Sequence, residues 1–167
     1  MKKIIIVIVF TIIVLAIGIY SVDKYKNNPQ INVEFNVSNL NDEEYMYVGT
    51  KGIDNPTKND FKNIEFSLDV KNSDAISNRN ITIPNLKKVS NSYDKERYWF
   101  GPSDIDDSPM NKYAKYSQQF VFYSKGLTEQ DIKNIFNSSE VKISWTTSSG
   151  KDEEKIIKLG KNNQFKS

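Results

Sequence analysis

The sequence predicts an antiparallel β-sandwich with one short helix, set behind a single N-terminal transmembrane helix. Three observations predict it. Apolar and polar residues alternate with period 2 in run after run beyond Gln30, the mark of strands with one buried and one wet face. Turn residues separate those runs at short intervals, without the strand–helix–strand rhythm of a parallel sheet. Residues 4–22 read IIIVIVFTIIVLAIGIYSV and carry no charge.

That apolar run begins at Ile4 and ends at Val22. As a helix it spans roughly 28 Å, the thickness of a bilayer's hydrocarbon core, and satisfies its own backbone hydrogen bonds there. Lys2 and Lys3 precede it, and the far flank (Asp23, Lys24, Lys26) is less basic. The positive-inside bias therefore places the N-terminus in the cytoplasm and the remainder outside, a single-pass arrangement in the cell membrane. The alternative is a signal peptide cleaved near Gly18, after Ala16-Ile17, which releases the remainder as a secreted protein. Lipid attachment is excluded, because it needs a cysteine and none is present.

The expected organisation is anchor or signal sequence 1–22, spacer 23–30, exported domain 31–160 and flexible tail 161–167. Without Lys2 and Lys3 the 23 basic residues fall to the number of acidic ones, 21, so the exported part is neutral. Arginine occurs only at positions 79 and 97. A neutral, arginine-poor domain lacks the basic face that nucleic acid requires. With no cysteine there is no disulfide framework, so burial alone must stabilise the domain. Abundant Lys, Asn and Ile point to an AT-rich genome and a bacterial source.

Within the domain, Ile31, Val33, Phe35 and Val37 alternate with polar residues and predict the first strand. The apolar run 45–48 predicts a short second one, and Gly49, Gly52 and Asn55-Pro56 mark a loop. Ile64, Phe66, Leu68 and Val70 give the clearest strand of the first half. Ile81 and Ile83 continue the alternation until Pro84 ends it, and Leu86 and Val89 suggest another short strand. Residues 97–100 (RYWF) form an aromatic strand closed by Gly101-Pro102, and 103–117 read as an irregular acidic loop. Residues 118–124 are apolar enough for a central strand. Residues 127–136 predict the one soluble helix: Thr128 is its N-cap, Asp131 completes a capping box, and Ile132, Ile135 and Phe136 share a face. Val141, Ile143 and Trp145, then 154–159, predict a C-terminal hairpin.

The strand count and turn spacing resemble immunoglobulin-like sandwiches. The cysteine pair of true immunoglobulin domains is missing, so the resemblance implies architecture only. An α+β arrangement, an antiparallel sheet with one packed helix, is the alternative.

Histidine is also absent, which removes the usual base near neutral pH and the commonest metal ligand. Serine or cysteine triads and the common zinc sites are excluded with it. A Ser124–Lys125 dyad fails because strand neighbours point to opposite faces. A carboxylate pair acting on glycosides survives, but no pair stands out. The chain therefore reads as a non-enzyme. Asp104, Asp106 and Asp107 are the candidate metal ligands, with calcium the ion their oxygen chemistry suits; the competing reading is a solvated acidic loop. Tyr98, Trp99, Phe100, Tyr113 and Tyr116 are the candidate binding residues, since flat rings stack on sugars and anchor interfaces. Core packing competes with that role: successive strand residues alternate faces, so the three rings at 98–100 cannot all point inward.

The expected function is a membrane-anchored, extracytoplasmic, non-catalytic interaction module that binds a protein or an envelope polymer. Two alternatives stand beside it: a carboxylate-based, cell-wall-directed hydrolase, and a regulatory or immunity-type membrane protein.

Overall fold

The computed structural model describes residues 26–108, 112–161 and 163–166. The anchor expected at 4–22 lies outside the described residues. Among the described residues no helix is long and apolar enough to cross a membrane.

The described chain is mostly β, in two sheets with few helices. The larger sheet contains β1 (Gln30–Asn39), β2 (Phe61–Lys71), β4 (Tyr98–Phe100), β5 (Ser103–Asp107), β6 (Tyr113–Tyr123) and β9 (Asn163–Lys166). Its order is β4–β6–β2–β1–β9, and β5 pairs with β6 beyond the end of β4. The smaller sheet runs β3 (Ser77–Thr82), β7 (Glu140–Thr146), β8 (Asp152–Lys158). Every pairing is antiparallel except that of β9 with β1.

Alternation explains the main core. Phe35 and Val37 of β1, then Ile64, Phe66, Leu68 and Val70 of β2, all point to one face of the large sheet. Ala114, Tyr116, Phe120 and Phe122 of β6 join them there. Val141, Ile143 and Trp145 of β7 belong to the same buried cluster, so both sheets share one core. Two helices complete it. α2 (Leu86–Asn91) contributes Leu86, and α3 (Glu129–Asn137) contributes Ile132, Ile135 and Phe136.

α3 forms as its capping signals require. Thr128 accepts from the Asp131 amide, and the Asp131 carboxylate accepts from the Thr128 amide at 2.8 Å. The C-terminal hairpin is also present, as β7 paired with β8.

Four local expectations change. Residues 45–48 are not a strand: α1 (Asp42–Met46) ends there. Its N-cap Asn41 and Glu44 bond reciprocally at 2.8 Å, and this capping box outweighs a four-residue apolar run. Leu86 and Val89 lie in α2, whose N-cap Asn85 accepts from the Lys88 amide. The loop expected at 103–117 contains β5 and the start of β6, held together by pairing with each other. The tail places Asn163–Lys166 beside β1, in parallel.

A second, smaller core occupies the opposite face of the large sheet. Phe61, Val121 and Tyr123 point away from the main core and pack with Leu40 and Val48. Tyr45 of α1, Ile53 and Trp99 pack against this cluster. One end of that outer face is thereby covered.

Candidate functional site

The aromatic strand is held by a network built on Arg97 and Asn91. The Arg97 guanidinium is buried and grips Asp94 with two hydrogen bonds of 2.6 Å. Its Nη1 donates to the Tyr123 carbonyl at 2.9 Å, which ties the start of β4 to the end of β6. The Asn91 side chain accepts from the amides of Arg97 and Tyr98 at 2.9 and 2.7 Å. The hydrogen bonds from the Arg97 guanidinium, and then its charge, hold the Asp94 carboxyl below its ordinary pKa against the opposing effect of burial.

The five candidate aromatic residues do not form one surface. Tyr98 lies in the main core, its ring stacked on Phe120 at 4.7 Å. Trp99 turns to the other face, packs edge-on to Phe61, and donates its indole N–H to the Gly49 carbonyl at 2.7 Å. Pairing then slips by one residue between Tyr98 and Phe100, so Phe100 emerges on the outer face, 42% exposed. Tyr116 is in the main core, and its hydroxyl donates to Asp107. Tyr113 is exposed and donates to Asp106 at 3.1 Å. Two of the five rings fill the main core, one closes the smaller core, and two face solvent at separate places.

The three candidate metal ligands are also separated. Asp107 pairs in register with core-facing Ala114, whereas Asp104 and Asp106 pair with Ser117 and Lys115 on the outer face. Asp107 is engaged by Arg79 and by Tyr116. Among the described residues no three acidic groups are arranged to hold a metal ion.

Both phenols carry shifted pKa values. Burial, then the hydrogen bond to Asp107 and its charge, push Tyr116 up to about 12, against a smaller opposing pull from Arg79. The hydrogen bond to Asp106 raises Tyr113 from its ordinary value.

What the fold does bring together lies on the outer face of the large sheet, beside the smaller core. A hollow of about 380 Å³ is lined by Glu34 and Asn36 of β1, Glu65 and Ser67 of β2, Ser117 of β6 and Asp104 of β5. An ordered polar row runs from it toward a neighbouring hollow. Gln119 donates to Asn63 at 3.2 Å, and Asn63 donates to Glu65 at 3.2 Å. Asn63 and Asn36 are only 5% and 8% exposed, low values for polar residues on an outward face. A second hollow of about 220 Å³ adjoins it and shares Pro102 and Gln119. This one is mainly apolar, with Tyr47, Phe100, Leu40 and Val121 on its walls. Tyr47 is 73% exposed, and neighbouring Met46 is exposed as well.

Of the candidate residues, only Phe100 and Asp104 line this pair of hollows. Glu34, Asn36, Asn63, Glu65 and Tyr47 were missed. The signal for the first four was present, since they occupy the polar positions of alternating strands, but alternation marks such a face only as wet. Tyr47 was assigned to a strand. No family model, no curated protein and no solved structure matches this chain.

Proposed function

We propose that the chain is an extracytoplasmic interaction module, anchored through its apolar segment and without catalytic activity. The observation that carries this reading is the uncovered part of the large sheet's outer face, where a polar hollow adjoins an apolar one rimmed by exposed Tyr47 and Phe100. Among the described residues nothing packs on this part of the face, and exposed rings beside nearly buried amides have the composition of a recognition surface: apolar anchors beside directed hydrogen-bonding groups. Lysine-reactive cross-linking on intact cells tests it. The expected result is one reproducible partner joined through Lys115, which shares that face. A chain that captures no partner overturns the reading.

One observation favours the hydrolase alternative. Glu34 pairs with Ser67 and Glu65 with Asn36, which makes the two glutamates diagonal neighbours on one face. Such neighbours lie about 7–8 Å apart at the backbone, and inverting glycosidases separate their carboxyl groups by about 6.5–9.5 Å. Glu34→Gln and Glu65→Gln would each abolish turnover of a wall polysaccharide if this reading holds. Unchanged turnover in both sinks it.

The immunoglobulin-like form of the sandwich belongs to the same proposal. Eight antiparallel strands in two sheets around a shared core support it. The parallel β9 and the buried faces of α2 and α3 fit the α+β alternative instead.

A further inference from the structure

We infer that the paired hollows on the outer face of the large sheet receive an extended polypeptide segment of a partner, one that carries lysine or arginine two residues from an aromatic or large aliphatic residue. The inference rests on the interaction-module reading and specifies its partner.

Charge is the first argument. Glu34, Glu65 and Asp104 line the polar hollow, and Glu44 lines the apolar one. Among the described residues no lysine or arginine lines either. Among the described residues Glu34, Glu65 and Asp104 form no ion pair, although seven ion pairs engage other carboxylates of the domain. In a domain with balanced charge, the hollow itself gathers three carboxylates in a concave site, where like charges attract a cation together. An anionic envelope polymer would be repelled.

The second argument is Asn36. The residue is only 8% exposed at the wall of the polar hollow, and no hydrogen bond among the described residues engages its carboxamide, which stays open to the hollow. An amide held in a concave wall and not spent on the fold can pair with a ligand atom there. A carboxamide presents a donor and an acceptor side by side. A peptide group presents the complementary pair, which a bare metal cation or a simple amine does not.

The third argument is adjacency. The apolar hollow lies next to the carboxylates, with Pro102 and Gln119 common to both. Residues two apart in an extended segment share a face and lie roughly 7 Å apart, so a basic and an apolar side chain at such positions reach both hollows together. Tyr47 and Phe100 then contact the apolar side chain.

The test uses the full chain in lipid nanodiscs and fluorescence anisotropy of a labelled Lys-Ser-Phe-Ser-Lys peptide, whose lysines and phenylalanine share one face when it is extended. The control ligands are Glu-Ser-Phe-Ser-Glu and an N-acetylglucosamine oligomer. The lysine peptide should bind at least about tenfold more tightly than either control and should weaken as salt rises. Glu34→Gln/Glu65→Gln/Asp104→Asn should weaken it by about tenfold or more, whereas Asp54→Asn/Glu96→Gln/Glu154→Gln, which removes as many charges elsewhere, should change it less than about twofold. Phe100→Ser, at an exposed rim position, should weaken it without lowering the melting temperature. Equal losses in both triple variants, equal binding of either control ligand, or no binding overturns the inference. Cross-linking in cells separates its failure from that of the module reading. A partner captured equally by wild type and the groove variant overturns the inference and leaves the module reading standing. A wild-type chain that captures nothing overturns both.

Discussion

Arg79 of β3 and Asp107 of β5 join the two sheets through an ion pair of 2.5 Å. The same guanidinium nitrogen also reaches the Tyr113 carbonyl at 3.3 Å, and Tyr116 donates to the same carboxylate. The Arg79 side chain is 5% exposed, and its other terminal nitrogen, Nη1, is buried without a partner. Arg79→Ala leaves Asp107 with the Tyr116 hydroxyl alone and should cost about 2–3 kcal/mol. A double-mutant cycle with Asp107→Asn, read by urea unfolding, should give a coupling of about 1–2 kcal/mol. Additive losses would mean that the sheets are held by their apolar core alone.

Alkaline pH should weaken the same junction. A phenol whose folded pKa stands above its unfolded value stabilises the fold only while it is protonated. For Tyr116 that contribution is complete below pH 10, the ordinary value, and is lost as pH rises through about 12. Tyr116→Phe should therefore lower stability below pH 10 by about 1 kcal/mol and flatten the alkaline limb of a stability–pH curve. An unchanged limb would assign alkaline unfolding to other groups.

Gly101 separates β4 from β5, where both strands use the same edge of β6. A Cβ there would lie 1.9 Å from the Gln119 carbonyl oxygen and 2.5 Å from the Phe120 Cα, both backbone atoms that cannot step aside. Gly101→Ala should cost about 3 kcal/mol or more, measured by thermal unfolding. Gly49→Ala is the matched control, since a Cβ there meets nothing within 4 Å; it should lie within about 0.5 kcal/mol of wild type.

The cap of α3 gives an acid-side prediction. Hydrogen bonds from the Thr128 hydroxyl and amide hold the Asp131 carboxyl below its ordinary pKa. A lowered carboxyl stabilises the fold above its unfolded pKa, and the contribution fades as pH falls through the folded value. Thr128→Ala should cost about 1 kcal/mol at neutral pH, and the difference from wild type should shrink on acidification. A constant difference across that range would separate the cap from the titration.

These features differ in how far the amino-acid pattern foretold them. Alternation located β1, β2 and β7, because one face of each is buried and period 2 records that directly, whereas β8 has no buried residue and was legible as the return strand of a hairpin. The Thr128–Asp131 signal located α3, because a capping box is local. Pattern failed where a short segment could satisfy two rules. The run 45–48 alternates weakly, yet Asn41 and Glu44 had already committed it to a helix. β5 has a single apolar residue, Ile105, and is a strand only because the edge of β6 is available to it. The aromatic residues at 98–100 showed that they must divide between faces, but a sequence does not record which face is later covered. For the same reason Asn36 and Glu65 read as ordinary outward residues. Their interest comes from the loop and helix that stop short of them.

The parallel strand β9 has a consequence for the order in which the domain is completed. Its pairing joins Asn163 to Phe35 and Lys166 to Ser38, residues separated by almost the whole domain. β1 is among the first segments synthesised, and β2 can close one side of it as soon as the next thirty or so residues follow. The other side must wait for residues 163–166. Throughout that interval β1 presents a bare row of backbone donors and acceptors, the surface through which nascent chains pair with one another. Contacts of such long sequence separation form late, because loop closure must come first. The last four-residue strand thus sets how long each new molecule remains open to self-association, and chains shortened before Asn163 would keep that edge exposed.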